Sequence, residues 1–314
     1  MNPQFLLLAG GLGALSAVLH TSLLTGSPAA FLLAYLAQLP LFAAGLWMGM
    51  SAIGVAVAVG LIAAFAGGGF VFAIAYFLAN AAPAFLVVRQ ALLWRPTANG
   101  GIEFYPLGNI LLMLVGLVAV LFAGMIFAFS GQEGGLEGAI KRFIVEAFQT
   151  IRAPGLDTTR LEPFAEGLAR VFPGIVGVSW LLMTVANAAL AQGLVSRFAK
   201  PQRPSPSIVD LDLPVALLGL VAIFAIGSLL SGLGGFVSRN MIVVFVAVYA
   251  LAGFGVLHAL VAKLKWRGLA LGASYGAVIV FGWPIAVVAI LGLIEPLTHL
   301  KARAMGRAPT GTQE

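Results

Sequence analysis

Five polar side chains lie inside otherwise apolar stretches of this 314-residue chain: Gln38, Asn80, Thr184, Asn187 and Gln192. Amides and hydroxyls of this kind exchange hydrogen bonds and carry no charge. In hydrocarbon each is costly unless it faces a partner or a cavity. Two uses are open to them. One is bonding between helices, worth about 1 kcal/mol per bond; the other is a pocket for a small solute or lipid, built where an interrupted helix exposes backbone beside amides. Gln38 stands two residues before Pro40, Asn80 three before Pro83, and Thr184 and Asn187 share a helix face through their spacing of three. If the second use holds, Gln38, Asn80 and Asn187 converge on one cavity.

Catalytic and metal chemistry find little support in the residue types. His20, His258 and His299 are far apart, and no H-E-x-x-H or other His/carboxylate spacing occurs. Nucleophile-elbow and phosphate-loop motifs are also missing. The absence of cysteine removes thiolate ligands, disulfides and thiol nucleophiles together. Glu103, Asp210, Asp212 and Glu295 all fall near the ends of apolar stretches, which argues against a proton relay in the interior. The glycine groups Gly10, Gly11, Gly13 and Gly67 to Gly69 are read as close helix contacts or turns, not phosphate cradles. His20 and His258 are expected at headgroup depth or bonded to a helix. These readings predict a protein that is not an enzyme, holds no metal or cofactor and binds no nucleic acid.

The elements that must position the polar residues are membrane helices. The chain is 61% hydrophobic and only 9% charged, whereas a soluble domain carries about 25% charged residues. A hydrocarbon core about 30 Å thick needs roughly 20 helical residues to cross it. Expected spans are Gln4 to Thr25, Ala29 to Ala66, Phe70 to Val88, Tyr105 to Ser130, Gly174 to Ser196, Pro214 to Gly232, Asn240 to Ala262 and Gly268 to Glu295. The stretch from Ala29 is too long for one crossing and barely enough for two, with Gln38, Leu39 and Pro40 as the expected break. The fold class is therefore all-α, a polytopic transmembrane bundle of eight or nine spans. The chain opens Met1, Asn2, Pro3, Gln4 without a basic stretch or a cleavage site, so its first helix is expected to be retained.

One hydrophilic insert interrupts the pattern. Leu136, Ile140, Phe143, Ile144, Ala147, Phe148 and Ile151 fall on one helical face, opposite Glu137, Lys141, Arg142, Glu146 and Arg152, and Pro154 and Gly155 stop the run. This reads as an amphipathic helix on the membrane or on the bundle. A second short piece carries Leu161, Phe164, Leu168 and Val171 on one side. The organisation is N-terminal transmembrane helices (1–130), an interfacial insert (131–171), C-terminal transmembrane helices (172–296) and a polar basic tail (297–314). The net charge of +6 concentrates in the loops at Arg89 to Arg95, Arg197 to Arg203 and Lys263 to Arg267. One crossing per span puts these three loops on one face, the cytoplasmic one by the positive-inside rule. The basic tail with Lys301, Arg303 and Arg307 then falls on the opposite face, unless Gly282, Trp283 and Pro284 split the last segment into a hairpin.

Two stretches carry a family resemblance. In Pro173 through Pro214 a proline-led span with Asn187 reaches Arg197, a loop with Pro201, Pro204 and Pro206, and then Leu213 and Pro214. Near the end, Ile290 to Glu295 is followed by the basic exit Lys301 and Arg303. Together these resemble the uncharacterised bacterial membrane proteins of the DUF2232 or YybS-like family, over nearly the whole chain, with Glu295 at the family's acidic position, which is often Asp. The first ninety residues, with Leu39, Pro40, Gly45, Gly49, Gly54, Asn80 and Pro83, resemble the substrate-binding subunits of energy-coupling factor transporters. These resemblances imply a multi-pass protein of the bacterial inner membrane with a transporter-subunit-like core for a small solute or lipid. The alternative is a membrane scaffold in envelope, cell-shape or division machinery, whose partners besides the lipid bilayer are other membrane proteins.

Overall fold

The computed structural model describes residues 3–151 and 158–306. Met1, Asn2, Arg152, Pro154, Gly155 and Arg307, on which some sequence expectations rest, lie outside them. The chain is about 81% helical, and it is an all-α protein with the apolar helices of an integral membrane protein. The contacts divide it into two compact units, residues Met1–Ile110 with Ser179–Pro206 and residues Leu111–Val178 with Ser207–Glu314.

In the first unit, α1 (Pro3–Thr21) ends in a 3-10 turn over Ser22–Thr25, and Gly26 in the left-handed region closes it. Helix α2 (Pro28–Tyr35) starts on Ser27, whose hydroxyl accepts from the Ala30 N–H. Two turn residues later, α3 (Gln38–Met48) begins. The interruption thus falls just before Gln38, and Pro40 sits in the first turn of α3, where the missing N–H is tolerated. Gly49, at φ 90°, turns the chain into α4 (Met50–Tyr76), which continues through a π-helical turn (Phe77–Ala81) into α5 (Ala82–Ala91).

The run from Met50 to Ala91 is not straight. Gly69 sits at φ 77°, ψ −171°, and a Cβ built on Gly60 would lie 2.3 Å from the Tyr76 hydroxyl. A straight helix would hold those residues about 24 Å apart, so the chain folds back at Gly69, where the sequence pattern predicts a turn. Beyond α5, a two-stranded hairpin, β1 (Trp94–Pro96) and β2 (Ile102–Phe104), leads to α6 (Leu107–Ala128). Residues 179–198 of α9 (Phe172–Phe198) complete the unit.

The second unit contains the insert. Its helices α7 (Gly135–Ile151) and α8 (Thr158–Ala169) pack together through Ile144, Ala165 and Ala169, with Ile140, Val145, Phe148 and Leu168 against them. Part of the apolar stripe, Ile140, Ile144 and Phe148, is covered by α8, while Phe143 and Phe164 stay 62% and 53% exposed. Lys141 pairs with Glu166, and Arg170 with Glu137 and Glu166, along the polar edge. The unit also holds residues 111–128 of α6, residues 172–178 of α9, a 3-10 turn (Ile208–Asp210), α10 (Ala216–Gly227), α11 (Gly232–Val261), α12 (Arg267–Phe281), α13 (Pro284–Thr298) and α14 (Leu300–Met305).

Among the described residues, six helices are long and apolar enough to cross a membrane: Pro3–Thr25, Pro28–Met48, Met50–Ala91, Leu107–Ala128, Phe172–Phe198 and Gly232–Val261. The expected count of eight or nine does not follow from helix length. Helices α10, α12 and α13 have only 12, 15 and 15 residues, about 18 to 23 Å at 1.5 Å per residue. Gly282, at φ 70°, divides the last apolar segment between α12 and α13.

Glycines set how closely these helices approach. A Cβ on Gly13 would lie 2.1 Å from the Ala56 carbonyl oxygen of α4, one on Gly253 1.8 Å from the Val288 oxygen, and one on Gly292 1.9 Å from the Tyr249 oxygen. The α11–α13 crossing therefore brings backbone against backbone, the arrangement small residues permit in apolar media. Gly292→Leu is expected to force α11 and α13 apart and destabilise the protein by at least the ~1–3 kcal/mol of ordinary overpacking. Gly272→Leu, where nothing lies within 4 Å, should leave the thermal midpoint in detergent unchanged. Equal midpoints for the two variants would refute this account of the crossing.

Candidate functional site

The first unit's polar residues gather where two prolines disturb the backbone. Pro83 has no N–H, so the Ala79 carbonyl lacks its α-helical donor. Two side chains supply donors instead: Gln38 Nε2 at 2.7 Å and Trp180 Nε1 at 2.9 Å. Pro40 similarly deprives the Leu36 carbonyl, and the Leu39 N–H turns to it at 3.1 Å. That leaves the Tyr35 carbonyl at the end of α2 free, and Asn187 Nδ2 donates to it at 2.7 Å as well as to Met183 in its own helix at 2.8 Å.

A second set of bonds begins on α1. The Tyr76 hydroxyl donates to Ser16 Oγ at 2.9 Å, and Ser16 donates in turn to the Ala37 carbonyl at the α2–α3 interruption. Asn80, in the π-helical turn beside Ala79, places Nδ2 3.2 Å from His20 Nδ1. An amide nitrogen only donates, so Nδ1 accepts and the ring proton sits on Nε2. His20 is packed against the rings of Phe72 and Tyr76, at 4.6 and 5.4 Å between centroids.

Gln38, Asn80 and Asn187 thus make separate buried hydrogen bonds at neighbouring points of the backbone, and their nitrogens are spent on backbone carbonyls or on His20. Three polar atoms among these side chains and His20 remain buried without a hydrogen-bond partner: His20 Nε2, Gln38 Oε1 and Asn187 Oδ1. With the Asn80 amide nitrogen as donor to Nδ1, they amount to one N–H donor and two amide-oxygen acceptors, and no carboxylate, lysine or arginine lies among these side chains. Leaving such atoms unpaired in an apolar interior costs about 1–3 kcal/mol each.

The other two candidates are placed elsewhere. Thr184 does share a face with Asn187, but its hydroxyl donates to Trp180 O, four residues back, at 2.9 Å, so it is satisfied within α9. Gln192 lies further along α9 and donates to the Arg203 carbonyl at 2.8 Å and to Ser205 Oγ at 3.3 Å. It fastens the loop after α9, because that loop folds back along the helix end. There Arg203 donates to the Ala91 carbonyl at 3.1 Å and lies 5.3 Å from the Phe104 ring centroid. Burial pushes its guanidinium pKa below the ordinary arginine value.

Sequence reasoning missed Ser16, Tyr35, Tyr76 and Trp180, and took His20 as interfacial or helix-bonded. The one signal available was Pro83, since a proline always leaves the carbonyl four residues earlier in need of a donor. In the second unit, Asn240 caps in the same manner: Oδ1 accepts from the Gly174 N–H at 2.7 Å, and Nδ2 donates to Arg170 O and Phe236 O. Lys301 is buried, its Nζ donating to Val209 O, Leu211 O and Asp212, while its backbone N–H reaches the Glu295 carboxylate at 3.2 Å. Glu295 and Lys301, two of the residues noted in the sequence, therefore form one latch at the end of α13. Among the described residues, no group of three or more His, Cys, Asp or Glu side chains is arranged to hold a metal ion.

Comparison with protein-family models, curated proteins and solved structures gives no match to this chain.

The shared acceptor predicts a specific coupling. Gln38→Leu and Trp180→Phe each leave Ala79 O one donor and should each cost about 0.5–1.5 kcal/mol. The double variant strips both donors from a buried carbonyl and should lose measurably more than the sum of the two. Additive losses in reversible unfolding would show that the two bonds do not depend on one another.

Proposed function

We propose that this chain is a non-enzymatic, multi-pass protein of a bacterial inner membrane, and that its first unit binds a small polar solute beside the α2–α3 interruption. The observation that carries the reading is the set of three buried, unpartnered atoms, His20 Nε2, Gln38 Oε1 and Asn187 Oδ1, on side chains whose other bonds go to neighbouring points of the backbone or to Asn80. An occupant with both donor and acceptor groups would satisfy them. Because these side chains include no carboxylate, lysine or arginine to offset an ionic charge, a neutral solute fits better than a charged one. The resemblance to the DUF2232 or YybS-like proteins and to transporter substrate-binding subunits belongs to this proposal. So does a count of eight or nine crossings, supported by the reversal at Gly69 and by the three shorter apolar helices.

A scaffold role is favoured by one observation: the amide nitrogens of Gln38 and Asn187 are already used to mend helix breaks. Native mass spectrometry of the full chain, purified gently from its own membrane, separates the two readings. The solute reading expects a reproducible small-molecule adduct that disappears in Gln38→Ala and Asn187→Ala. It should persist in Trp180→Phe, which weakens the same packing without touching the unpaired oxygens. A stoichiometric protein partner without any adduct would establish the scaffold reading instead.

A further inference from the structure

The hairpin between α5 and α6 carries a second feature, independent of the interior polar residues. Its register pairs Trp94 with Phe104, Arg95 with Glu103 and Pro96 with Ile102. Strand side chains alternate faces, so Trp94, Pro96, Ile102 and Phe104 share one side, and Arg95 and Glu103 the other. Phe104 is partly covered by the Arg203 guanidinium, but Trp94 is 60% and Ile102 62% exposed. Beside the hairpin runs a groove of about 400 Å³, lined by Leu93, Trp94, Arg95, Glu103, Tyr105 and Asn109.

Position and charge identify the occupant. The hairpin joins the ends of two apolar membrane-length segments, at Ala91 and Leu107, which is where a bilayer presents its headgroups. The loop after α9 is fastened to the same end, with the Gln202 N–H on Leu46 O and Arg203 on Ala91 O. Arg89 and Arg197 stand in the last turns of α5 and α9, so with Arg95, Lys200 and Arg203 they lie toward this end, and Glu103 is the one acid among the first unit's described residues. Arg95 gives its Nε to Glu103 at 2.8 Å. Among the described residues its terminal amino groups make no hydrogen bond, and its side chain is 77% exposed.

We propose that this groove is a headgroup site for an anionic phospholipid. The free amino groups of Arg95 take the phosphodiester, Tyr105 and Asn109 offer hydrogen bonds to the polar headgroup, and Leu93, on the same side of the hairpin as Arg95, lies along the upper acyl chains. Trp at headgroup depth beside a cation is the usual border of a membrane protein. Glu103 holds Arg95 in place and limits its attraction for the lipid.

The test uses the full chain, delipidated in detergent and given phosphatidylglycerol or phosphatidylcholine with the same acyl chains, with retained lipid counted by native mass spectrometry. Wild type should retain more phosphatidylglycerol than phosphatidylcholine. Arg95→Gln should cut phosphatidylglycerol retention about fivefold, the effect of one surface cation at an anionic membrane, and leave phosphatidylcholine unchanged. Glu103→Gln should raise phosphatidylglycerol retention, a gain that misfolding cannot mimic. Equal retention of the two lipids, or indifference to both substitutions, would overturn the proposal. Displacement of the lipid by millimolar inorganic phosphate would overturn it in favour of a free-anion site, and a co-purifying protein released by Trp94→Ala in favour of a protein contact.

Discussion

Ala79 O is the atom on which the first unit's arrangement turns. Backbone groups in hydrocarbon must find partners within the protein, and Pro83 removes the one that a regular helix would provide. Two donors from different helices, Gln38 and Trp180, meet at this oxygen, which ties α3 and α9 to the π-helical turn. The same logic repeats at Pro40, where the displaced Tyr35 carbonyl draws in Asn187. Interruptions that would weaken an isolated helix here become the points at which helices are joined. Each bond contributes little alone, about 0.6 kcal/mol on average between membrane helices, but the unpaired alternative is far more costly.

Close backbone approach is the complementary constraint. Hydrocarbon gives apolar side chains no reason to prefer each other over lipid, so helices adhere through tight van der Waals contact. Gly13 against Ala56 in the first unit and Gly253 and Gly292 across the α11–α13 crossing leave no room for a side chain. Gly69 serves differently, supplying the positive φ that reverses the chain. That reversal returns Tyr76 to Ser16 and Asn80 to His20, so a single glycine places two of the buried polar side chains.

Polar and apolar faces are resolved differently outside the apolar helices. The insert buries part of its stripe internally, α7 on α8, with ion pairs along the edge, and leaves Phe143 and Phe164 exposed. The α5–α6 hairpin leaves Trp94 and Ile102 uncovered beside a concentration of arginines. Lys301 takes a third course, buried and fully coordinated by carbonyls and Asp212, so that a basic exit becomes a structural latch.

What the sequence determined by itself was the solvent: 9% charged residues and long apolar runs dictate helices in a membrane, and Gly26 and Gly69 mark turns between them, whereas the turn at Gly49 came only from the structure. It also singled out Gln38, Asn80 and Asn187, because a buried amide in hydrocarbon must have a reason. Tertiary structure alone decided what that reason was. Which carbonyl an amide reaches depends on the chain reversing at Gly69 and on α9 lying against residues more than a hundred positions earlier, and no local pattern encodes those distances. Thr184 and Gln192 looked equivalent to Asn187 in sequence, yet one bonds within its own helix and the other holds a loop. The difference lies in what each side chain faces, a property of the packed helices and not of the residue.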